Sequence, residues 1–172
     1  YLDSFSKYSN LILPGGCLIM HTGLKMKPNV QEGVSLYTYS RAEGDFHADN
    51  VRIGDGRIVF DLVSPFGNIS DIELGVPVSV NIENGIAAIA LAQIAGASAE
   101  EIRKGMASFG GVDRRFDFHV KTDRMVYVSD YAHHPEEIRH CLESMKELYS
   151  GRRIKVIFQP HLFTRTRDFY RE

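Results

Sequence analysis

Residues 125–158 read MVYVSDYAHHPEEIRHCLESMKELYSGRRIKVIF, and this stretch carries the strongest signal for a fold. Its first five residues favour a strand because they include two valines and a tyrosine, residue types that are common in strands. Pro135 and the two glutamates after it then begin a helix whose apolar residues recur at helical spacing. Gly151 ends that helix, and residues 154–158 (IKVIF) favour a buried strand. This order predicts a βαβ unit, which almost always crosses right-handed onto a parallel sheet.

Upstream of that unit, the sequence predicts short strands and one hairpin. Residues 17–20 (CLIM) and 34–39 favour strands. The hairpin joins residues 47–53 to residues 57–63 around Gly54-Asp55-Gly56, where Asp-Gly supplies the positive-φ residues of a tight turn. Alternate residues of its second arm are apolar, so one face is expected to be buried: Ile58, Phe60 and Leu62.

Two helices are predicted between the hairpin and the βαβ unit. Residues 82–95 (IENGIAAIALAQIA) are apolar nearly all round, which predicts a helix buried between layers and ended by Gly96. Ser98 and Glu101 have the spacing of a capping box, so a second helix should begin there. Its apolar residues at helical spacing are expected to pack on the core: Ile102, Met106 and Phe109.

Gly110-Gly111 is the predicted boundary between two domains of an α/β protein, because the pattern after it is that of a parallel sheet. Residues 1–111 would form one part and residues 112–172 the other. The chain opens at Tyr1 without a methionine and stops in a charged, helix-like stretch. We therefore expect it to be a fragment of a longer protein.

The composition excludes several classes of protein. With 172 residues and a formal net charge of −2, nothing draws the whole chain toward nucleic acid or an anionic membrane. No apolar run approaches the roughly 20 residues that cross a bilayer, and no basic leader precedes an apolar stretch, which favours the cytoplasm. Cys17 and Cys141 lack metal-ligand spacing and are expected to be buried thiols, with no metal site predicted.

Polar residues follow both strands of the predicted βαβ unit, where the carboxyl ends of parallel strands gather ligands. After the first strand, Asp130 and His133 favour a functional role, whereas His134 favours capping the following helix. After the second strand, His161 and Arg165 are four residues apart, so they can share a helical face and bind phosphate or carboxylate.

Two further sets of residues each allow a structural and a functional interpretation. Arg114 and Arg115 follow the predicted boundary directly. Neighbouring arginines are usually solvated, yet at a domain junction one can swing over a phosphate as the domains close. Asn81 is expected to cap the alanine-rich helix and Asn84 to hold a plain helical position, although an amide at a helix start can also bind a nucleotide base.

Several of these motifs together resemble one known family. They are residues 81–84 (NIEN), 109–116 (FGGVDRRF), 130–138 (DYAHHPEEI) and 158–166 (FQPHLFTRT). From about Leu74 to its end, the chain resembles the Mur ligase family.

The resemblance implies a three-domain, ATP-dependent amide ligase of peptidoglycan synthesis that joins L-alanine to UDP-N-acetylmuramate. ATP and Mg²⁺ bind the central domain, and a Rossmann-like C-terminal domain brings the amino acid. The sugar carboxylate takes the γ-phosphate to form an acyl phosphate, which the alanine amine attacks. The chain would hold the second half of the central domain and the first half of the C-terminal one, and a homo-oligomer would cover the strand edges left open.

The resemblance also gives roles to single residues by position. Asn81 and Asn84 would lie near adenine, and Arg115 would reach the γ-phosphate. Asp130 and Tyr131 would lie at the ATP and amino-acid end of the cleft. The residues that would hold substrate carboxyl groups are His133, His161 and Arg165, and the expected catalytic set is Asp130, Arg115 and His133. The chain departs from the family pattern at Val80, where His is frequent, and at Leu162, where Arg is frequent.

The chain has no Gly-Lys pair, so it lacks the P-loop that holds ATP phosphates. We therefore expect the isolated chain not to turn over ATP. Three other functions fit part of the pattern. One is a murein tripeptide recycling ligase, another is a nucleotide-binding module without catalysis, and the third is a metal-dependent hydrolase that uses Asp130, His133, His134 and His161.

Overall fold

The computed structural model describes residues 2–160, 164 and 167. Its helices and strands are α1 Leu2–Ser9, β1 Cys17–His21, β2 Ser35–Tyr39, β3 His47–Gly54, β4 Arg57–Val63, β5 Ile69–Glu73, α2 Val80–Ile94, α3 Ala99–Ser108, β6 Asp117–Lys121, β7 Val126–Ser129 and α4 Pro135–Leu148. Within these residues, every helix is too short or too polar to cross a membrane.

The strands form three small sheets. β1 and β2 pair in parallel, so that His21 lies opposite Tyr39 at their carboxyl ends. β3, β4 and β5 form an antiparallel sheet in sequence order, and β6 pairs antiparallel with β7. The architecture is mixed α/β, which confirms the predicted fold class.

The predicted hairpin is confirmed as β3 and β4. Its turn has positive φ at Asp55 (+51°) and Gly56 (+70°), the conformation that Asp-Gly favours. The alternation in β4 also has the predicted effect, because three of its side chains have no exposed surface: Ile58, Phe60 and Leu62. The sheet therefore presents one apolar face to the rest of the protein.

α2 covers part of that core but is not buried on all sides. Ile82, Ile86 and Ile89 recur on one face and are almost completely buried. On the opposite face the side chains of Val80 and Leu91 are more than half exposed, so the prediction of a helix buried between layers is wrong. The physical reason is that the described residues place packing partners against one side of α2 only.

α3 begins as predicted and packs less completely than predicted. The Ser98 side chain accepts the backbone N–H of Glu101, and the Glu101 carboxylate accepts the backbone N–H of Ser98, which confirms the capping box. Ile102 is buried and Met106 packs against the core. Phe109 lies just beyond the end of the helix and is half exposed, because the backbone there is already extended and turns the ring away from the helical face.

The predicted strand at residues 154–158 is wrong. Residues 153–160 form no strand, and the Ile157 side chain is 99% exposed. β7 pairs with β6 and has no second neighbour within the described part of the chain. A strand needs a neighbour for its backbone groups and a layer for its apolar side chains, and residues 154–158 have neither there. No parallel βαβ unit forms within that part.

α4 packs against the hairpin of the upstream sheet. The carbonyl oxygen of Leu148 accepts the backbone N–H of Gly56, and Nζ of Lys121 donates to the carbonyl oxygen of Gly56. Leu148 and Phe116 belong to the same buried cluster as Phe60. One core therefore contains residues from both sides of the predicted domain boundary. The position of that boundary stays a prediction.

Candidate functional site

Asp130 joins the end of β7 to the turn before β6. Its Oδ2 accepts the backbone N–H of Phe116 at 2.7 Å, and its Oδ1 accepts that of Ala132 at 2.7 Å. Phe116 and Arg114 have positive φ angles of +48° and +60°, which are costly for residues with a Cβ. Both carboxylate oxygens of Asp130 are therefore used to stabilise local backbone, including a strained turn.

Residues 112–116 form this turn, called the Arg115 turn from here on. The backbone N–H of Tyr131 donates to the carbonyl oxygen of Arg114 at 2.8 Å, which holds the turn at a second point. The Arg115 guanidinium extends toward Glu137, with 3.8 Å between Nη1 and Oε1, and 61% of its side chain is exposed. An exposed pair of this kind contributes at most about 1 kcal/mol, so the guanidinium remains accessible to an anionic ligand.

The Glu137 carboxylate connects the Arg115 turn with the start of α4. Its Oε2 accepts the backbone N–H of His133 at 3.1 Å and that of His134 at 3.3 Å. These hydrogen bonds, with the one from His133 first, hold the pKa of Glu137 below its usual range. Glu137 was not among the site residues predicted from the sequence. Its signal was present, since Glu137 lies three residues after the helix cap, the spacing of a capping box.

The two adjacent histidines face different partners. His134 caps α4, and its Nδ1 accepts the backbone N–H of Glu136 at 3.4 Å, as predicted. The Nδ1 of His133 instead lies 2.9 Å from the carbonyl oxygen of Tyr131 and 3.5 Å from Oε2 of Glu137. The His133 and Tyr131 rings also pack together, with 5.2 Å between their centroids. The His133 ring is therefore oriented by Tyr131 and Glu137, whereas the His134 ring caps the helix.

Cys141 lies on α4, where the charge of Asp130 acts on its thiol. Burial of the thiol and the nearby carboxylate raise the pKa of Cys141 from 9.0 to about 11. Cys17 and Cys141 are both free thiols and both partly buried. The prediction of unpaired thiols is confirmed, and their burial is less complete than predicted.

The start of α2 carries a second set of candidate residues. The helix begins at Val80, and Ser79 occupies the cap position. Asn81 therefore does not cap the helix as predicted, because Ser79 already has helical backbone angles and the helix starts earlier. The Nδ2 of Asn81 donates to the carbonyl oxygen of Val76 at 3.1 Å, and the Nδ2 of Asn84 donates to Oδ1 of Asn81 at 3.2 Å.

Glu83 ties the first turn of α2 to the carboxyl ends of β1 and β2. Its Oε1 lies 3.4 Å from Nε2 of His21, at the end of β1, and accepts the backbone N–H of Arg41, after β2, at 3.4 Å. The Nδ1 of His21 accepts the backbone N–H of Gly23 at 3.0 Å, so Nε2 carries the proton and donates to Glu83. The asparagines of α2 therefore lie near the carboxyl ends of parallel strands, where α/β proteins bind ligands.

The two sets lie at opposite ends of α4. Ser79, at the start of α2, donates from Oγ to Oε2 of Glu147 at 2.6 Å, near the last residue of α4. The Arg115 turn and His133 adjoin its first residue, Pro135. An α-helix rises 1.5 Å per residue, so about 18 Å of helix separates the two sets.

The structure thus brings together four of the predicted site residues: Arg115, Asp130, Tyr131 and His133. Asn81 and Asn84 are linked to each other and lie apart from that group. His161 and Arg165 lie outside the described residues, as does Leu162. Across residues 2–160, 164 and 167, no three His, Cys, Asp or Glu side chains are arranged to hold a metal ion.

Comparison with known proteins places this geometry in a family. Residues 114–172 match the family described as Mur ligase, glutamate ligase domain. A Phocaeicola vulgatus protein named UDP-N-acetylmuramate–L-alanine ligase is 62% identical over 172 residues, which are 100% of this chain and 38% of that protein. A protein of the same name from Parabacteroides distasonis is 57% identical over 170 residues, 98% of this chain and 37% of the relative.

Among solved structures, the UDP-N-acetylmuramate-alanine ligase of Thermotoga maritima has a TM-score of 0.66 and 28% identity, over 73% of this chain and 30% of that one. The chain spans less than two fifths of the length of its curated relatives. The match to these relatives extends along the whole chain or nearly so, and it therefore spans both sets of candidate residues. On these grounds, the chain belongs to the Mur ligase family.

Proposed function

We propose that this chain forms part of a cytoplasmic, ATP-dependent ligase that joins L-alanine to UDP-N-acetylmuramate in peptidoglycan synthesis. The observation that carries the proposal is the Arg115 turn, which Asp130 and Glu137 hold beside His133 at the start of α4. A cation, an imidazole and a helix N-terminus suit an anionic, phosphorylated acid and an amine. The names of the relatives support this ligase over the tripeptide recycling ligase and the metal-dependent hydrolase.

Residues 1–111 would belong to the central, ATP-binding domain and residues 112–172 to the Rossmann-like C-terminal domain. The start of the family match at residue 114 supports this division, because it falls just after Gly110-Gly111. The positive φ of Gly111 (+92°) supports a change of chain direction at that point.

The residue roles follow the same proposal. Arg115 would bind the γ-phosphate of ATP, and its exposed guanidinium supports that assignment. Asn81 and Asn84 would bind adenine, because each amide keeps hydrogen-bonding groups that its partner inside the chain does not use. Tyr131 would lie beside Asp130, at the ATP and amino-acid end of the cleft between the domains. The substrates would be bound by three residues, His133, His161 and Arg165, of which the last two would hold carboxyl groups.

The reaction mainly requires positioning and charge stabilisation from the protein. Arg115 would neutralise negative charge on the acyl phosphate while the amine attacks its carbonyl carbon. Asp130 would act indirectly, by holding the Arg115 turn, since both of its oxygens bind backbone N–H groups. Mg²⁺ would neutralise the phosphates, but the side chains of the described part do not form a site that fits this ion, so none of these steps depends on it.

A chimera tests the proposed function. The chain would replace the matching segment of the Phocaeicola vulgatus relative, which is 62% identical over the full length of this chain. We expect the chimera to form ADP and phosphate only when both L-alanine and UDP-N-acetylmuramate are present. Arg115→Ala should lower kcat about a hundredfold or more, whereas Arg124→Ala, at an exposed turn residue, should have little effect.

The outcomes separate the alternatives. A folded chimera that uses the tripeptide in preference to L-alanine would support the recycling ligase instead. Metal bound at stoichiometry, with hydrolysis that needs no ATP, would support the hydrolase. The isolated 172-residue chain should show no alanine-dependent ATP hydrolysis, because it has no Gly-Lys pair.

A further inference from the structure

The neighbours of His133 assign the position of its ring proton. The Nδ1 atom lies 2.9 Å from the carbonyl oxygen of Tyr131 and 3.5 Å from the Glu137 carboxylate. A carbonyl oxygen and an ionised carboxylate can only accept hydrogen bonds. Hydrogen bonds from backbone N–H groups, that of His133 first, hold the pKa of Glu137 below its usual range, so its carboxylate is ionised at neutral pH. Nδ1 must therefore carry a proton.

Nε2 is then the ring atom that a ligand can reach. Within residues 2–160, 164 and 167, no group hydrogen-bonds to Nε2 of His133, and 24% of the side chain is exposed. The orientation of the ring is fixed from several directions. The Tyr131 ring packs against it, and the backbone N–H of His133 donates to Glu137. A neutral ring held in this way offers a lone pair at Nε2 and no donor there.

We propose that His133 presents Nε2 as a hydrogen-bond acceptor to the ammonium group of the amino-acid substrate. This inference rests on the proposed ligase function. Glu137 and the Tyr131 carbonyl are the positioning groups that keep the proton on Nδ1. An acceptor at Nε2 suits an N–H donor and does not suit a carboxylate, which is the group that the family resemblance gives to His133.

The charges in contact with the ring favour the same ligand. The ring contacts one oxygen of the Glu137 carboxylate, and the Arg115 guanidinium faces the other oxygen. A negative group beside the ring attracts an ammonium group and repels a carboxylate. Charge and hydrogen-bonding capacity thus select the amine end of an amino acid at Nε2 and leave its carboxyl end to other residues.

Nitrogen NMR of the full 172-residue chain tests the tautomer directly. At a pH where imidazoles are neutral, long-range proton–nitrogen spectra should show His133 with a protonated Nδ1 and an unprotonated Nε2. His140 is an internal comparison, because its ring is exposed and has a carboxylate near each nitrogen, so it should show a mixture of tautomers. A protonated Nε2 on His133 at that pH would overturn the proposal.

Glu137→Gln tests the positioning residue. The glutamine carbonyl oxygen can still accept the backbone N–H groups of His133 and His134, so α4 should begin unchanged. The loss of charge should produce a measurable population of the other His133 tautomer. Glu136→Gln removes the same charge one residue away and should leave the tautomer as it is. An unchanged tautomer in Glu137→Gln would overturn the part assigned to Glu137.

Two small probes test the ligand chemistry. Methylammonium should shift the Nε2 signal of His133 in a saturable way, and acetate should not. The methylammonium effect should disappear in His133→Ala and persist in His119→Ala. A response to acetate alone, or to neither probe, would overturn the proposal. These measurements need no ATP turnover, so an inactive chimera would count against the proposed function without changing their outcome.

Discussion

The Oδ2 atom of Asp130 accepts the backbone N–H of Phe116 at 2.7 Å, across 14 positions of the sequence. The last pair of the β6–β7 ladder is Asp117 opposite Ser129, so this bond continues the ladder by one step through a side chain. It holds Phe116 at positive φ and thereby sets the course of the Arg115 turn. One carboxylate thus links the end of a strand to the position of a candidate phosphate-binding arginine.

Replacing Asp130 should destabilise the Arg115 turn. In Asp130→Asn the amide oxygen can replace one acceptor only, and the NH₂ group then faces a backbone N–H. We expect the free energy of unfolding in urea to fall by about 1–3 kcal/mol, the usual cost of leaving a partly buried donor unpaired. Asp123→Asn, at an exposed turn residue, should change it by less than about 0.5 kcal/mol. Equal effects of the two variants would contradict this explanation.

The Cys141 thiol should react slowly with alkylating reagents at neutral pH. Burial and the charge of Asp130 raise its pKa to about 11, and the thiolate is the reactive form. In a Cys17→Ser background, the alkylation rate should rise up to about pH 11. Adding Asp130→Asn should move that rise to lower pH. No movement would show that the carboxylate does not act on the thiol.

The raised pKa of Cys141 also predicts that the protein becomes less stable at alkaline pH. The unfolded thiol ionises near 9.0, whereas the folded one stays neutral until about 11. Relative to the ionised form, the neutral thiol favours the folded state. This contribution to stability is complete below pH 9 and is lost as the pH rises from there to about 11. The free energy of unfolding should fall across this range, and the fall should be shallower in Cys141→Ala. An identical slope in the two proteins would argue against the assignment.

Removing Glu83 should loosen the attachment of α2 to β1 and β2. Its carboxylate bridges His21 and the backbone N–H of Arg41, and both ends of the pair with His21 are partly exposed. We expect Glu83→Ala to lower the free energy of unfolding by about 1 kcal/mol. Glu100→Ala, in the exposed first turn of α3, is the matched control and should cost less. If Glu100→Ala lowered the free energy of unfolding by as much as Glu83→Ala, the bridging role of Glu83 would be wrong.

Tyr149→Phe should stabilise the protein. The Tyr149 hydroxyl is buried, and it has no hydrogen-bond partner in the part of the chain that the structure describes. Removing a buried, unpaired polar group should raise the free energy of unfolding by about 1 kcal/mol. Tyr127→Phe, at a side chain that is half exposed, should be nearly neutral. A loss of stability in Tyr149→Phe would show that the hydroxyl has a partner.

Features encoded by adjacent residues could be predicted well from the sequence. The Asp55-Gly56 turn, the Ser98–Glu101 capping box and the His134 cap of α4 all form as expected. Each depends on backbone geometry and hydrogen bonds within three or four residues, so distant parts of the chain hardly affect them.

Predictions that needed distant partners succeeded less often. β6 was not predicted, although its five residues alternate between polar and apolar, because so short a segment is a weak signal and its stability comes from pairing with β7. Residues 154–158 have the composition of a strand, yet they have no neighbour among the described residues. Asn81 has the composition of a cap, yet the preceding backbone is already helical.

The same distinction between local and distant contacts applies to the candidate site. Local sequence, together with the family resemblance, was enough to select Arg115, Asp130 and His133, because the motifs that carry the resemblance contain these residues. Their geometry depends on Glu137 and on backbone groups of Phe116 and Tyr131, which become neighbours only when β6 pairs with β7 and α4 begins. Side-chain chemistry is a property of single residues, whereas its orientation depends on contacts that the folded chain creates.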